Sequence, residues 1–285
     1  MAKLEDNEAV FVQQPWLVGI TTAFAAVGFR IPSLGTMALE LIYADYGEME
    51  VTTMDFQNGN GEHFDAKDLA FSISYGRNLT NWFGVGFSGK YIASQIWHTS
   101  ASAIAADLGI QINTTFFSPS GQRKDGLVLG MSISNYGKCM RYDGIDLLSP
   151  IDIDPNYEGN FRDVPGQFRL QEWELPLIFR LGVAIHPILT ENHKLTLAID
   201  ALHLNNNAES VNVGAQYAFN SPGIGRVFFR AGYKALFIPQ SQYGWAFGFG
   251  LEKNLIGNTG FRIEYAFREI GILGNVHSYG VSLLF

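Results

Sequence analysis

With 285 residues the chain has room for two ordinary domains or for one large barrel. Only 16% of the residues are charged, where soluble domains carry about a quarter, while 47% are hydrophobic and 14% aromatic. The formal net charge of −8 argues against a nucleic-acid partner, and a single cysteine, Cys139, excludes an internal disulfide.

No segment approaches the ~18 consecutive apolar residues of a membrane helix. The first ten residues, MAKLEDNEAV, are polar and acidic and lack the apolar centre of an export signal, so an exported protein would be a mature or shortened form. The hydrophobicity lies instead in period-2 alternation, the mark of strands. Mean hydropathy is only +0.06, as expected where an apolar face and a polar face cancel.

Taken in order, residues 8–14 form a short first strand and 17–30 a second, with a tight turn at Pro32–Gly35. Met37, Leu39, Leu41 and Tyr43 mark one face of a third. Residues 46–66 read as a long loop or a strand extension, ending in the turn-rich QNGNGE. Leu69, Phe71, Ile73 and Tyr75 mark a fourth strand, Phe83, Val85, Phe87 and Tyr91 a fifth, Leu108, Ile110 and Ile112 a sixth, and Leu127, Leu129, Met131 and Ile133 a seventh. An irregular acidic stretch, 137–171, follows. Strands then resume at 177–185, 195–199, 211–219, 229–237, 245–251, 260–270 and 277–285.

The last pair defines the pattern. Phe261, Ile263, Tyr265 and Phe267 alternate with Arg262, Glu264 and Arg268, and Tyr279, Val281, Leu283 and Phe285 alternate with Ser278, Gly280 and Ser282. Rings on one side and full charges on the other fit a wall with lipid outside and a wet lumen inside. The count, about fourteen, is even, as a closed antiparallel bacterial barrel requires. With the C-terminus on the periplasmic side, both longest loops, 46–66 and 137–171, fall outside. A barrel this wide leaves a wet or plugged lumen, and 137–171 is the available plug if it folds inward.

Motifs for chemistry are weak. Residues 84–90, GVGFSGK, match the start of a phosphate loop, but Tyr91 replaces the Ser or Thr that holds magnesium, and the pattern continues as strand. Lys90 and Asp107 face inward on one hairpin and can meet as a structural ion pair. Counting from the turns places Gly250 between Arg230 and Arg262, and Gly248 beside Glu264. This glycine track makes room for a structural charge network or for a small anion between the two arginines. Asp143, Asp146, Asp152, Asp154, Glu158 and Asp163 crowd the long loop, where Lys138, Arg141, Arg162 and Arg169 offset them; a solvated loop fits better than a calcium site. The histidines at 63, 98, 186, 193, 203 and 277 fall near strand ends and suggest no metal. No cofactor site and no catalytic constellation is legible.

Several stretches together resemble one family: KYIASQIWHTSASAIAADLG at 90–109, DGIDLLSPIDIDP at 143–155, ENHKLTLAIDALH at 191–203, ESVNVGAQY at 209–217, FFRAGYK at 228–234 and NVHSYGVSLLF at 275–285. They look like the PorV/PorQ family of outer-membrane proteins, within the wider FadL-like barrel group. The resemblance implies an all-β, closed antiparallel transmembrane barrel of about fourteen strands, in one domain spanning 1–285, in the bacterial outer membrane. It also implies that the chain begins after that family's signal peptide and N-terminal plug segment. The leading expectation is a non-enzymatic accessory to type IX-like protein secretion, with secreted cargo or secretion-system proteins as partners beside outer-membrane lipid. The alternative is a FadL-like transporter of long-chain fatty acids or other hydrophobic small molecules. A soluble β-sandwich hydrolase ranks third.

Overall fold

The computed structural model describes residues 4, 6–154, 156, 164–238, 241–255 and 259–285. Fourteen antiparallel strands close into a barrel: β1 (Glu8–Pro15), β2 (Thr21–Ile31), β3 (Gly35–Glu50), β4 (His63–Asn78), β5 (Phe83–Ile96), β6 (Thr99–Asn113), β7 (Val128–Gly137), β8 (Ile178–Leu189), β9 (His193–Leu204), β10 (Asn207–Ser221), β11 (Gly225–Leu236), β12 (Trp245–Asn254), β13 (Gly260–Glu269) and β14 (Asn275–Leu284). Each strand pairs with its sequence neighbours, and β1 pairs with β14 to close the ring. Closure leaves no long free edge, the condition for strands to sit in hydrocarbon. The start of β1 and the C-terminal Phe285 lie at one end, hereafter the terminal end; the long connections lie at the other, the loop end.

The alternation read from sequence sets which side each residue faces. Phe229, Phe249, Tyr265 and Tyr279 stand side by side on the outer face, ring against ring: Phe229–Phe249 centroids are 5.6 Å apart and Tyr265–Tyr279 also 5.6 Å. Phe87 is 54% exposed and Ile104 65%. A water-soluble sandwich would turn these side chains into a core. Here they face out, and small or polar residues such as Ser72, Ser74 and Ser282 are buried on the inside.

Several boundaries differ from expectation. β2 starts at Thr21, because Leu17–Gly19 form a 3₁₀ turn with Val18 at φ 56°. The 46–66 stretch is strand at its two ends, 46–50 and 63–66, around a connection at 51–62: β3 and β4 run past a bulge at Asp45–Glu48, where Gly47 sits at φ 77°. β6 begins at Thr99, nine residues before its first marker, because Ala101, Ala103 and Ala105 alternate too quietly to be seen. β8 runs on to Leu189 through a bulge between Ile185 and Ile188. Pro187 lies in that bulge, so a proline does interrupt a strand, at one of the few places a ladder tolerates it. β11 ends at Leu236, and Phe237, expected on its outer face, lies beyond it at φ 68°.

The long connection is 138–177, within which Leu148–Ile151 pairs with Val164–Gln167 as a small hairpin. It folds inward at its base. Met140 and Leu175 are buried against Ala101, Ala103 and Ala105 on the inner face of β6, with Ile92 and Tyr142 beside them. Burying a side chain of this size contributes about 1.5–3 kcal/mol, which anchors the base of the connection in the barrel mouth.

Candidate functional site: the β6–β7 break and the lumen

The base of the long connection continues the wall, but imperfectly. β7 stops at Gly137, opposite Ala105 of β6. Residues 138–142 and 172–176 then run as an irregular ribbon. Met140 and Trp173 exchange backbone hydrogen bonds of 2.8 and 2.9 Å, and Asp143–Gly144 rejoin β6 at Ser100 and Thr99. On the β9 side the ribbon is sealed. Asn205 donates its N–H to the Leu177 carbonyl and its Nδ2 to the Leu175 carbonyl, while its Oδ1 accepts from the Leu177 N–H. On the β6 side, between the pairs Ala105–Gly137 and Ser100–Asp143, one hydrogen bond remains, from the Lys138 N–H to the Ile104 carbonyl. The ladder is broken at Ala101–Ile104.

The cause is local. Ser134 and Asn135 both oppose Asp107, a bulge, and Asn135 takes φ 64°, a left-handed conformation that asparagine tolerates better than most residues. Lys90 and Asp107 hold it. Lys90 Nζ lies 2.6 Å from Asp107 Oδ2 and donates to Asn135 Oδ1 at 3.0 Å, and the Asn135 N–H donates to Asp107 Oδ1 at 2.8 Å. Asn135 Nδ2 then donates to the Pro176 carbonyl at 3.0 Å, tying the bulge to the ribbon. Two glycines let backbone lie against β6. A Cβ at Gly137 would fall 2.3 Å from the Ile104 oxygen, and one at Gly144 would fall 2.2 Å from the His98 oxygen. Further up, Tyr142 shares a 2.6 Å hydrogen bond with Ser94, and the Asp68 carboxylate accepts from Ser94 and from Tyr46 at 2.6 Å.

The break has space outside it, and a second space opens further along the lumen, beyond the packed Met140 and Leu175. Outside it is a crevice of about 980 Å³, lined by Leu69, Tyr91 and Ala93 of the outer face together with Ser102, Cys139 and Arg141. Inside, a cavity of about 580 Å³ runs along β4–β9, lined among others by Glu40, Ser88, Asp107, Ser132, Arg180 and Asp200. Both fall in the range of small-molecule sites.

The remaining sequence-nominated residues lie at the terminal half of the lumen, in a different register from that expected. Gly248 stands between Arg230 and Ala266, and Gly250 between Phe228 and Glu264; Arg262 pairs across from Glu252. The count from the turns was off by two across both β11–β12 and β12–β13, because β11 ends at Leu236 and β12 runs on to Asn254. The arginines therefore do not converge on an anion. Arg230 donates to Glu264 at 2.6 Å and to Gln216 at 2.8 Å. Arg262 contacts Glu252 at 2.6 Å and Glu8 at 3.1 Å, and Arg226 reaches Glu252 at 3.5 Å. Glu8 and Glu252 were not nominated. Their signal was an acid on the inward parity of the adjoining strand, legible only once the register is known.

The lumen is less uniformly polar than its alternation suggested. Val10, Val12, Phe24, Ile42, Ile92 and Phe228 share the inward parity of these charges. β2 has apolar residues on both faces, so no alternation flags them.

The loop acids are used locally. Asp143 accepts from Gln167 Nε2 at 2.5 Å, and Asp146 accepts from the His98 N–H at 3.0 Å and meets its Nδ1 at 2.9 Å. Arg141 pairs with Glu172 at 3.3 Å, and Asp152 and Asp154 cap their own turns. Glu158, Arg162 and Asp163 lie outside the described residues. Among the described residues no group of three His, Cys, Asp or Glu is placed to hold a metal ion. The phosphate-loop-like stretch 84–90 is ordinary β5 strand. Cys139 is exposed on the ribbon.

No protein-family model and no curated protein sequence matches the chain. Solved structures do. The chain is similar to the toluene transporter TodX of Pseudomonas putida, with a TM-score of 0.55 and 10% identity over 99% of this chain and 88% of that one. It is similar to the Ralstonia pickettii toluene transporter TbuX, with a TM-score of 0.54 and 7% identity over 100% and 90%. The monoaromatic hydrocarbon channel CymD gives a TM-score of 0.55 and 9% identity over 98% and 87%. These likenesses show the fold: an all-β, closed fourteen-stranded barrel of FadL-like type. The PorV/PorQ resemblance is not among what they show.

Proposed function

We propose that this protein is an outer-membrane conduit for hydrophobic small molecules, non-enzymatic, with the break beside β6 as the passage through its wall. This reverses the order expected from sequence, where protein secretion stood first. The observation that carries the reading is the juxtaposition at Ala101–Ile104. A lipid-side crevice reaches Ala101 and Ser102 at the interrupted ladder, and the inner cavity starts further down the same strand at Asp107, with the Met140 and Leu175 side chains packed between them. The inward apolar residues of β1, β2 and β3 remove the objection that the lumen is polar throughout. The fold shared with structures titled as toluene transporters and hydrocarbon channels agrees with it.

The chain's own residues supply the device. Lys90, Asp107 and Asn135 fix the bulge that ends β7, and Gly137 and Gly144 let the ribbon lie against β6. Met140 and Leu175 fill the inner side of the break with flexible apolar atoms that can yield to a greasy solute without unpairing a charge. The test is transfer of labelled toluene and labelled oleate into vesicles with a lipopolysaccharide outer leaflet. Protein-bearing vesicles should fill faster than empty ones for at least one of the two solutes. Equal rates for both would sink the proposal.

A second reading, an accessory to protein secretion, has one observation in its favour. Ile145, Leu148, Ile151, Ile153 and Phe168 are exposed on the long connection at the loop end. Replacing 148–167 with a short Gly-Ser linker should abolish capture of a secreted partner if this holds, and should leave solute transfer intact.

A further inference from the structure

The inner cavity is sorted by polarity along its strands. Two glycines stand side by side in its wall, Gly130 of β7 and Gly182 of β8, with Gln111 of β6 beside Gly130 and Asp200 of β9 beside Gly182. One step toward the loop end the same strands bring Ser132 opposite Arg180. One step toward the terminal end they bring Val128 opposite Ala184, and Ala184 opposite Ala198. A bare floor therefore lies between a polar edge and an apolar edge. The floor is open: a Cβ at Gly130 would meet no atom within 4 Å, and one at Gly109, beside Ser132, none closer than 3.8 Å.

The polar edge carries two charges of opposite sign that do not meet. Arg180 and Asp200 are diagonal neighbours on β8 and β9, about 7–8 Å apart at the backbone. Among the described residues neither side chain has an ion-pair or hydrogen-bond partner. Asp200 leans instead over Gly182, into the space that a Cβ there would need. The other carboxylates of the cavity are engaged. Glu40 accepts from Ser72 at 2.9 Å and Ser74 at 3.1 Å, and Asp107 holds Lys90 and the Asn135 N–H.

A lone anion would find Asp200 beside it, and a lone cation Arg180. A neutral hydroxyl suits both. Its O–H donates to the carboxylate and its oxygen accepts from the guanidinium, each bond strengthened by the charge on the protein side. The floor suits a ring. The two glycine α-carbons lie about 5 Å apart, a span that one six-membered ring covers, and the apolar side chains beyond take its unsubstituted edge. We propose that the Gly130–Gly182 floor, with Arg180 and Asp200, is a binding site for a neutral hydroxylated aromatic ring of the phenol or catechol class. This narrows the solute class of the conduit and rests on that reading for its use; binding and transfer are measured separately, so either can fail alone.

The experiment is calorimetric titration of the full chain in detergent, against empty micelles, with catechol, toluene, benzoate and benzylamine. Catechol should bind most tightly of the four. Asp200→Ala should lose about tenfold or more in catechol affinity, the scale of one charge-assisted hydrogen bond. It should bind toluene as the parent does, which shows it folded. Gly130→Val puts side-chain atoms on the floor at a position with room for them, and should weaken catechol and toluene alike. Benzoate or benzylamine binding most tightly would make this a simple ion site and overturn the assignment. Catechol no tighter than toluene, or held unchanged by either variant, would overturn it too. Catechol bound as expected, with neither labelled toluene nor labelled oleate entering vesicles, would count against the conduit and leave this site standing.

Discussion

The two halves of the lumen are built on opposite principles. Near the termini, Glu8, Glu252 and Glu264 meet Arg226, Arg230 and Arg262 across four strands, including the seam where β1 closes on β14. Near the loops, Arg180, Lys234 and Arg268 share the inward parity without an ion pair among the described residues, although Asp200 and Glu269 lie on the same stretch of wall, and a few strands away the wall itself is interrupted. Three arginines are paired where the barrel closes, while at the proposed entry a single pair, Lys90–Asp107, holds the bulge that ends β7. The difference teaches that the unpaired stretch of ladder lies at the loop end, while the densest charge pairing lies where the barrel closes.

Removing one carboxylate should act most strongly at the paired end. Glu252 serves two arginines and its side chain is only 12% exposed, so Glu252→Gln should lower stability by about 2 kcal/mol, below the cost of a fully buried pair because the lumen is partly wet. Equilibrium urea unfolding in lipid vesicles reads this. An intermediate effect is expected at the boundary between the halves. Tyr142→Phe removes one hydrogen bond to Ser94 and should cost about 1 kcal/mol, seen as faster proteolysis of the ribbon rather than global unfolding.

The sharpest contrast is one of sign. The double change Lys234→Gln, Arg268→Gln deletes two charges from the unpaired half, and should stabilise the barrel by roughly 0.5 kcal/mol at low salt through relief of repulsion. A loss like that of Glu252→Gln would erase the distinction. The smallest effect lies outside the lumen, in the turn after β6. Asp125 is 1% exposed and accepts from Ser118 Oγ at 2.6 Å and the Ser120 N–H at 3.0 Å, and the Ser118 hydroxyl first, then Ser120, holds its carboxyl below the usual carboxylate range. A lowered folded-state value stabilises above the unfolded value of about 3.9 and is lost as pH falls through the folded one. Acidification below pH about 4 should therefore loosen this turn, and Asp125→Asn should remove the pH dependence of its protection from amide exchange, measured relative to the intrinsic rate.

The fold was legible because lipid outside and water inside enforce period-2 contrast on most strands, and β13 and β14 carry it in full. Where one side chain type sits on both faces, as in β2 and the alanines of β6, the contrast vanishes and so did the boundaries. Pairs within one hairpin, such as Lys90 and Asp107, were readable because a short connection fixes their register. Arg230, Arg262 and Glu264 were misplaced relative to Gly248 and Gly250, since a two-residue error in a turn moves every partner. The break at Ala101–Ile104 left no pattern at all. It depends on Asn135 leaving the ladder, and a single left-handed asparagine looks in sequence like any polar residue.

The account stands or falls on passage beside β6. Ser102→Cys, bridged to the native Cys139 by a short cleavable bifunctional thiol reagent, would staple the two sides of the break. Labelled solute transfer into vesicles should then drop to the rate of empty vesicles and return when the bridge is cleaved. Transfer that continues unchanged through the stapled barrel would contradict it.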